Sequence, residues 1–433
     1  MSQRVLIKGG TVLSMDRSIG NLKASDVLIE DGRIREVGAS LRARNADVID
    51  ASQTLVMPGF VDTHRHVWHS LFRNAGGQAA GITPGLIRPH HSPDHVYAAT
   101  LIGLLGASEA GITTVVDWAD IPSETPFIEA ALQAHADAGL RTVFVAVQND
   151  WNGGGVAAVK ALADRALPDR AFAIGSPDPL QELDTTSALW RSIRQVGLRI
   201  HAHVGEDEES RGIVARLGER GLLGEDVTLA HCTNLSDQDL DAIASSNTRV
   251  SIAPAVEMTE GMGRPPLQSL IDRKIRPGLG VGTEMESPGD IFAQMRAAQS
   301  VQHATLFDLK LAGKGGVPNL LGTRDVIRFA TIDGAIAAGL SGITGSLSPG
   351  KRGDVVILRT DRPNIAPVND PIGAVVWGMD TSNIDWVLVG GRVVVRAGEL
   401  THDVTRARDL AVQAQREVAA AAGMLSSAET SPS

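Results

Sequence analysis

The chain reads as an α/β protein, a closed (β/α)8 TIM barrel carrying a small β-sandwich domain built from both termini. Three observations predict it. Eight short apolar segments between residues 55 and 283 alternate with amphipathic stretches of helical period. Every polar cluster in that region falls at a strand C-terminus, where barrel enzymes keep their chemistry; an open doubly wound sheet is the alternative. The two chain ends share a hairpin texture that the middle lacks.

Residues 1–56 form the first part of the small domain. Val5-Leu6-Ile7, Thr11-Val12-Leu13, Asp26-Val27-Leu28-Ile29 and Ile34-Arg35-Glu36-Val37 are separated by Gly9-Gly10, Gly20-Asn21 and Asp31-Gly32, and Asp-Gly between apolar runs is a hairpin signal. Residues 57–344 form the barrel, with strands expected at 55–61, 113–117, 142–147, 171–175, 199–204, 227–231, 249–253 and 278–283. Segment 69–97, with Pro84, Pro89 and Pro93, is too long and broken for an ordinary βα loop and reads as a lid or a lining of the site mouth. Residues 345–402 return to the small domain through Asp354–Leu358, Trp386–Val389 and Arg392–Val395. The last part, 403–433, reads as an Ala-rich helix (402–423) and a disordered tail from Ser426.

Composition narrows the class. The 433 residues are 43% hydrophobic, enough for one large core or two. Lys and Arg total 40 against 50 Asp and Glu, a formal charge of -10, which argues against nucleic acid or an anionic membrane as partner. A small-molecule substrate is expected instead. One cysteine, Cys232, permits no internal disulfide and suits a reducing, cytoplasmic setting. No charged n-region precedes an apolar h-region at the N-terminus, and no run of about 18 apolar residues suggests a membrane span.

The chemistry starts at Asp62-Thr63-His64-Arg65-His66. Two histidines at i and i+2 of an extended segment share a face, and two neutral imidazoles on one face are half of a metal site. A solvated pair is the plainer reading, but compatible partners recur downstream. Strand five ends in His201-Ala202-His203-Val204-Gly205-Glu206, strand six in Leu229-Ala230-His231-Cys232, and strand eight in Gly280-Val281-Gly282-Thr283-Glu284. His203, nearer the mouth than His201, is assigned as third ligand and Glu284 as the carboxylate. Three imidazoles and one carboxylate leave an open position for water on one divalent metal, zinc first, with iron or manganese as alternatives. Glu206 suits proton transfer, and His231 polarises substrate or water.

Other residues stay open at this stage. Trp68, Trp118 and Trp151 stack on a planar ring or pack the rim. Glu257 touches substrate or forms a salt bridge. Asp117 caps a helix or orients a ligand histidine. Period-two alternation turns Arg65 outward into a salt bridge; an inward turn would bind a substrate carboxylate. His69, His90, His91 and His95 read as surface or gate residues, with a second metal cluster as the alternative.

Taken jointly, these residues resemble the amidohydrolase superfamily, in particular its cytosine deaminase-like, guanine deaminase-like and chlorotriazine hydrolase-like branch. The resemblance spans about residues 3–400 and rests on Met57–His66, Ala110–Asp117, His203–Glu206, Leu229–Cys232 and Gly345–Leu358. It implies metal-assisted hydrolysis of a C–N bond, often deamination of an aromatic heterocycle, by a homo-oligomer, most simply a dimer. Strand eight departs from the pattern. The family places an Asp there; in one register Glu284 replaces it, in the other the position is Gly282, and on alternation Glu284 faces the interior in both. That departure motivates an alternative: a metal-poor or metal-independent lyase, isomerase or cyclase on the same fold, with catalytic His and Glu residues.

Overall fold

The computed structural model describes residues 3–76, 81–147, 155–165, 167, 169–176 and 183–424. Trp151 and the tail expected to be disordered lie outside them.

Strands from both chain ends form one nine-stranded sheet. They are β1 Arg4–Leu13, β2 Asn21–Glu30, β3 Arg33–Gly38, β4 Asp47–Asp50 and β5 Thr54–Pro58. One face buries Ile7, Val12, Val27, Ile29, Val56, Val355 and Ile357, and the alternating residues Leu13, Leu55, Met57, Val356 and Leu358 join the main core on the other face, so the centre of this sheet is covered on both sides. The expected sandwich is thus one continuously hydrogen-bonded sheet, and four late strands complete it.

The barrel strands are β6 Phe60–Arg65, β7 Ile112–Ala119, β8 Arg141–Val147, β9 Arg170–Ser176, β10 Arg199–Val204, β11 Val227–His231, β12 Arg249–Ile252 and β13 Gly278–Leu279. They neighbour one another in chain order, and among the described residues they pair in parallel. The late strands β14 Val355–Arg359, β15 Ile384–Val389, β16 Arg392–Arg396 and β17 Glu399–Leu400 then extend the first sheet from β5. β7 is buried on both faces, as a strand covered by helices must be. The helix Ile332–Ala337 closes the lower end of the barrel, where Ala335 shares one buried cluster with Val61, Val116 and Val143.

Two strand expectations change. The apolar run 55–61 is two strands, because β5 pairs with β14 in the small sheet while β6 opens the barrel. Strand eight is short: β13 stops at Leu279, and the chain closes the barrel at one further point, Gly282 beside Arg65. There the Gly282 amide donates to His64 O at 2.9 Å and the His66 amide to Gly282 O at 2.8 Å. Segment 69–97 holds a 3-10 helix Val67–Phe72, a short helix Pro84–Ile87, and the start of the long helix Pro93–Glu109, with 77–80 outside the described residues. The helix Val404–Ala421 matches the expected C-terminal helix. No helix among the described residues is long and apolar enough to cross a membrane.

Candidate metal centre

A cavity of about 590 Å³ opens at the C-terminal ends of the barrel strands, with His64, His66, His203, Glu206 and His231 in its wall. Its apolar side is Ile82, Val256, Met262 and Met285. The parallel strands bring together residues far apart in sequence: β6 ends beside β7 and, through Gly282, beside strand eight, while β10 and β11 pair through His203 and Ala230.

Ligand atoms of His64, His66 and His203 lie within 4.8 Å of one another. The Nε2 atoms of His64 and His203 are buried without a hydrogen-bond partner. A buried imidazole nitrogen left unmatched in this way is costly unless something binds it. Burial, then the neighbouring His203 and His66, pushes His64 well below the usual imidazole range, so its lone pair is available to a cation. The three residues therefore fit a divalent metal, and nitrogen donors of this kind suit zinc.

The Nδ1 atoms of His66 and His203 are held in place. His66 Nδ1 donates to Asp120 Oδ1 at 3.0 Å, and Trp68 Nε1 donates to the same oxygen at 2.6 Å. His203 Nδ1 pairs with Glu206 Oε1 at 2.8 Å, and its ring stacks on Trp118 with centroids 4.1 Å apart. Such outer partners set the tautomer and direction of a ligand histidine. Burial would raise the Glu206 carboxyl, but His203 outweighs it and holds the group at about 2. Glu206 is thus an ionised base at the cavity wall, with Oε1 3.5 Å from His231 Nε2.

His231 and Cys232 both adopt left-handed backbone angles, φ +71° and +61°. Two consecutive non-glycine residues in that region are strained, a state kept where the surroundings enforce it. Here the turn presents His231 to the cavity. Glu257 stands behind it, fully buried, accepting from His231 Nδ1 at 3.2 Å and from the Ala253 amide at 2.7 Å. Burial would lower His231, but the bond and charge of Glu257 raise it.

Several expectations are corrected by this geometry. Glu284 does not face the His cluster. Beyond Gly282 (φ +73°) the chain leaves strand geometry, and Glu284 binds Arg73 at 3.1 Å, Arg65 at 3.7 Å and Ser70. Burial would raise its carboxyl, but Arg65 and then Arg73 keep it low and ionised. It is an anion outside the cavity, and the residues past β13 that line the cavity are Gly282, Thr283, Met285 and Glu286. Glu257, Trp68 and Trp118 are absent from the cavity wall; they contact His231, Asp120 and His203 behind it. His201 is also buried outside that wall.

Asp117 bonds His135 at 2.8 Å and accepts from the Val67 amide at 3.3 Å, so it holds the start of the 3-10 helix, and the histidine it orients is not in the cavity. Arg65 turns outward as alternation expects, fully buried on Asp62 at 2.7 Å. His95 caps the Pro93–Glu109 helix and pairs with Glu417; His91 bonds Ile87 O.

Sequence reasoning missed Asp120 as a wall residue and grouped His69 with His90, His91 and His95 as surface or gate residues, a second metal cluster being the alternative. The signal for His69 was its spacing of three from His66, since i and i+3 eclipse in a 3-10 turn; the two rings stack with centroids 4.7 Å apart at 11°. Gly282 carries a prediction of its own. A Cβ there would meet Val256 Cγ1 at 2.6 Å, at a positive φ. Gly282→Ala should cost about 1–3 kcal/mol of stability in urea unfolding, partly recovered by Val256→Ala. Unchanged stability would mean the closing turn is looser than described.

Comparison with known proteins gives concordant results. The amidohydrolase family model matches residues 55–394. A 5'-deoxyadenosine deaminase of Methanothermobacter thermautotrophicus is 30% identical over 435 residues, covering 92% of this chain and 95% of that protein. A 5-methylthioadenosine/S-adenosylhomocysteine deaminase of Pyrococcus furiosus is 27% identical, covering 91% and 96%. Among solved structures, an adenosine deaminase from Xanthomonas campestris with bound zinc superposes with a TM-score of 0.85 at 19% identity, over 96% and 98% of the two chains. The zinc complex of an atrazine chlorohydrolase from Arthrobacter aurescens gives 0.82 at 21%, over 95% and 100%. At that identity the last two establish the shared fold.

Proposed function

The chain belongs to the amidohydrolase family, and from that premise we propose that it is a metal-dependent deaminase releasing ammonia from a small heteroaromatic amine of the adenosine type. The observation that carries this reading is the convergence of His64, His66 and His203 on one point beside the ionised Glu206. A divalent ion on those three imidazoles supplies Lewis-acid activation of water at neutral pH.

The chain's own residues do the rest. Glu206 takes a proton from the attacking water as its oxygen bonds to the ring carbon, and returns it to the leaving nitrogen. The C–N bond then breaks with its electron pair on nitrogen, which departs as ammonia. His231, kept basic by Glu257, donates from Nε2 to charge developing on the substrate. The apolar wall of Val256, Met262 and Met285 receives the planar ring and excludes water. Relatives named as 5'-deoxyadenosine and 5-methylthioadenosine deaminases support the substrate class.

A second reading, acid–base lyase or isomerase chemistry without metal, is favoured only by the bare Gly282 position. The two separate on one experiment. Protein loaded with zinc is assayed for ammonia release from adenosine, 5'-deoxyadenosine and aminotriazines, then stripped with a chelator. Release that vanishes on stripping and returns with zinc supports the deaminase; turnover that survives stripping defeats it. We further propose a cytoplasmic homodimer, because barrels of this family commonly pair and the free Cys232 is buried. Light scattering that returns a monomer's mass would reject the dimer.

A further inference from the structure

We propose that His66, His69 and Asp120 form a second cation site, for a divalent first-row transition metal, distinct from the His64–His66–His203 site except for His66. Ligand atoms of these three residues lie within 4.8 Å of one another, and all three residues line the cavity. Two imidazoles and one carboxylate are a donor set that zinc, cobalt, iron and manganese accept.

His69 carries the inference. It is 3% exposed, and its Nδ1 meets Thr283 Oγ1 at 2.9 Å. Its Nε2 is buried and has no hydrogen-bond partner. With Nδ1–H donating to Thr283, Nε2 keeps its lone pair. Thr283 Oγ1 also accepts from the Met285 amide at 3.1 Å, so strand eight, which offers no carboxylate, instead fixes this imidazole. Asp120 completes the set: the bonds from His66 and Trp68 both fall on Oδ1, which leaves Oδ2 for a cation; with both sites filled, His66 gives its Nδ1 proton to solvent and bridges the two cations as imidazolate, one nitrogen to each. Orientation of His66 alone would account for Asp120, but it would not account for a buried, unmatched nitrogen on His69. The 3-10 turn, by stacking His69 over His66, is what brings that nitrogen into range.

The inference rests on the proposed function only for the neighbouring site, and its test reads binding, not turnover. Metal-free protein is titrated with Co(II), following bound metal by equilibrium dialysis and the d–d absorption bands, with thermal unfolding to check that each variant folds. The wild type should hold close to two equivalents. His203→Ala should retain one, with the spectrum of the second site, and His69→Ala should retain one, with the spectrum of the first. The double variant should lose both, and Asp120→Asn should weaken the second equivalent by at least about tenfold. Loss of the only bound equivalent in His203→Ala, with stoichiometry and spectrum unchanged in His69→Ala, would overturn the second site while sustaining the proposed function. Retention in His203→Ala with loss in His69→Ala would sustain the second site and count against the first.

Discussion

Glu206→Gln is expected to lower kcat by about 10²–10⁴-fold, the usual worth of a positioned general acid–base group, while leaving metal content unchanged. Gln keeps the length of the side chain and an acceptor for His203 Nδ1, now 2.8 Å from Glu206 Oε1. What it loses is the ability to take a proton. In this chain the loss should be near the upper end of that range. A carboxylate at position 282 would offer a second base, but glycine stands there and Glu284 is committed to Arg65, Arg73 and Ser70; of the other carboxyls in the wall, Glu260 and Glu286 hydrogen-bond each other, and burial with that contact pushes Glu260 up to about 8. His231 cannot easily replace Glu206, because Glu257 favours its protonated form. KM should change little, since Glu206 acts on the reacting proton and not on the ring. Steady-state kinetics with metal analysis on the same sample checks this, and a kcat within tenfold of wild type would place the proton shuttle elsewhere.

Much of this site was legible because barrel geometry turns sequence order into spatial order. Once the segments ending in His64, His203 and His231 are parallel neighbours of one barrel, their C-terminal residues must meet at one rim. Alternation also set Arg65 on the face opposite His64 and His66. It failed where strand geometry itself ended. The inference that residues 282 and 284 share a face assumed an extended chain, whereas β13 stops at Leu279 and Gly282 sits at φ +73°. The run 55–61 misled for a related reason. An apolar stretch carries no mark where one sheet hands over to the next, and Pro58 and Phe60 belong to different sheets. The tryptophans show a third limit. Trp68 and Trp118 do sit near the centre, but an aromatic residue past a strand end has no sequence feature that tells a wall from a support. Asp120 was invisible for the same reason, since an acidic residue after a strand usually serves a turn.

Arg65→Met is expected to be the most destabilising single change outside the metal centre, at about 3–5 kcal/mol, the cost of removing one partner from a buried ion pair. The Arg65 side chain is fully buried; it donates from Nε to Asp62 Oδ2 at 2.7 Å and from Nη2 to Gly289 O at 2.6 Å. Without it, Asp62 remains a buried carboxylate supported, among the described residues, by the amides of Val281 at 3.1 Å and His64 at 3.3 Å. Burial already raises the Asp62 carboxyl, with Arg65 the main opposing influence, so the variant should raise it further. A carboxyl whose folded pKa exceeds its unfolded value binds its proton in the folded state first, so stability is gained as pH falls towards the unfolded value. The deficit of Arg65→Met against wild type should therefore narrow from pH 8 to pH 5 in urea unfolding. Glu284→Gln separates the two roles considered for that residue. It keeps Ser70 and Arg73 as neighbours, so a milder loss of about 1–3 kcal/mol is expected, with zinc affinity unaltered. A fall in zinc affinity with stability intact would instead mean that Glu284 reaches the metal in solution. The same ion network fixes the Val281 amide and hence the turn at Gly282, so Arg65→Met should also lower kcat more than Glu284→Gln does.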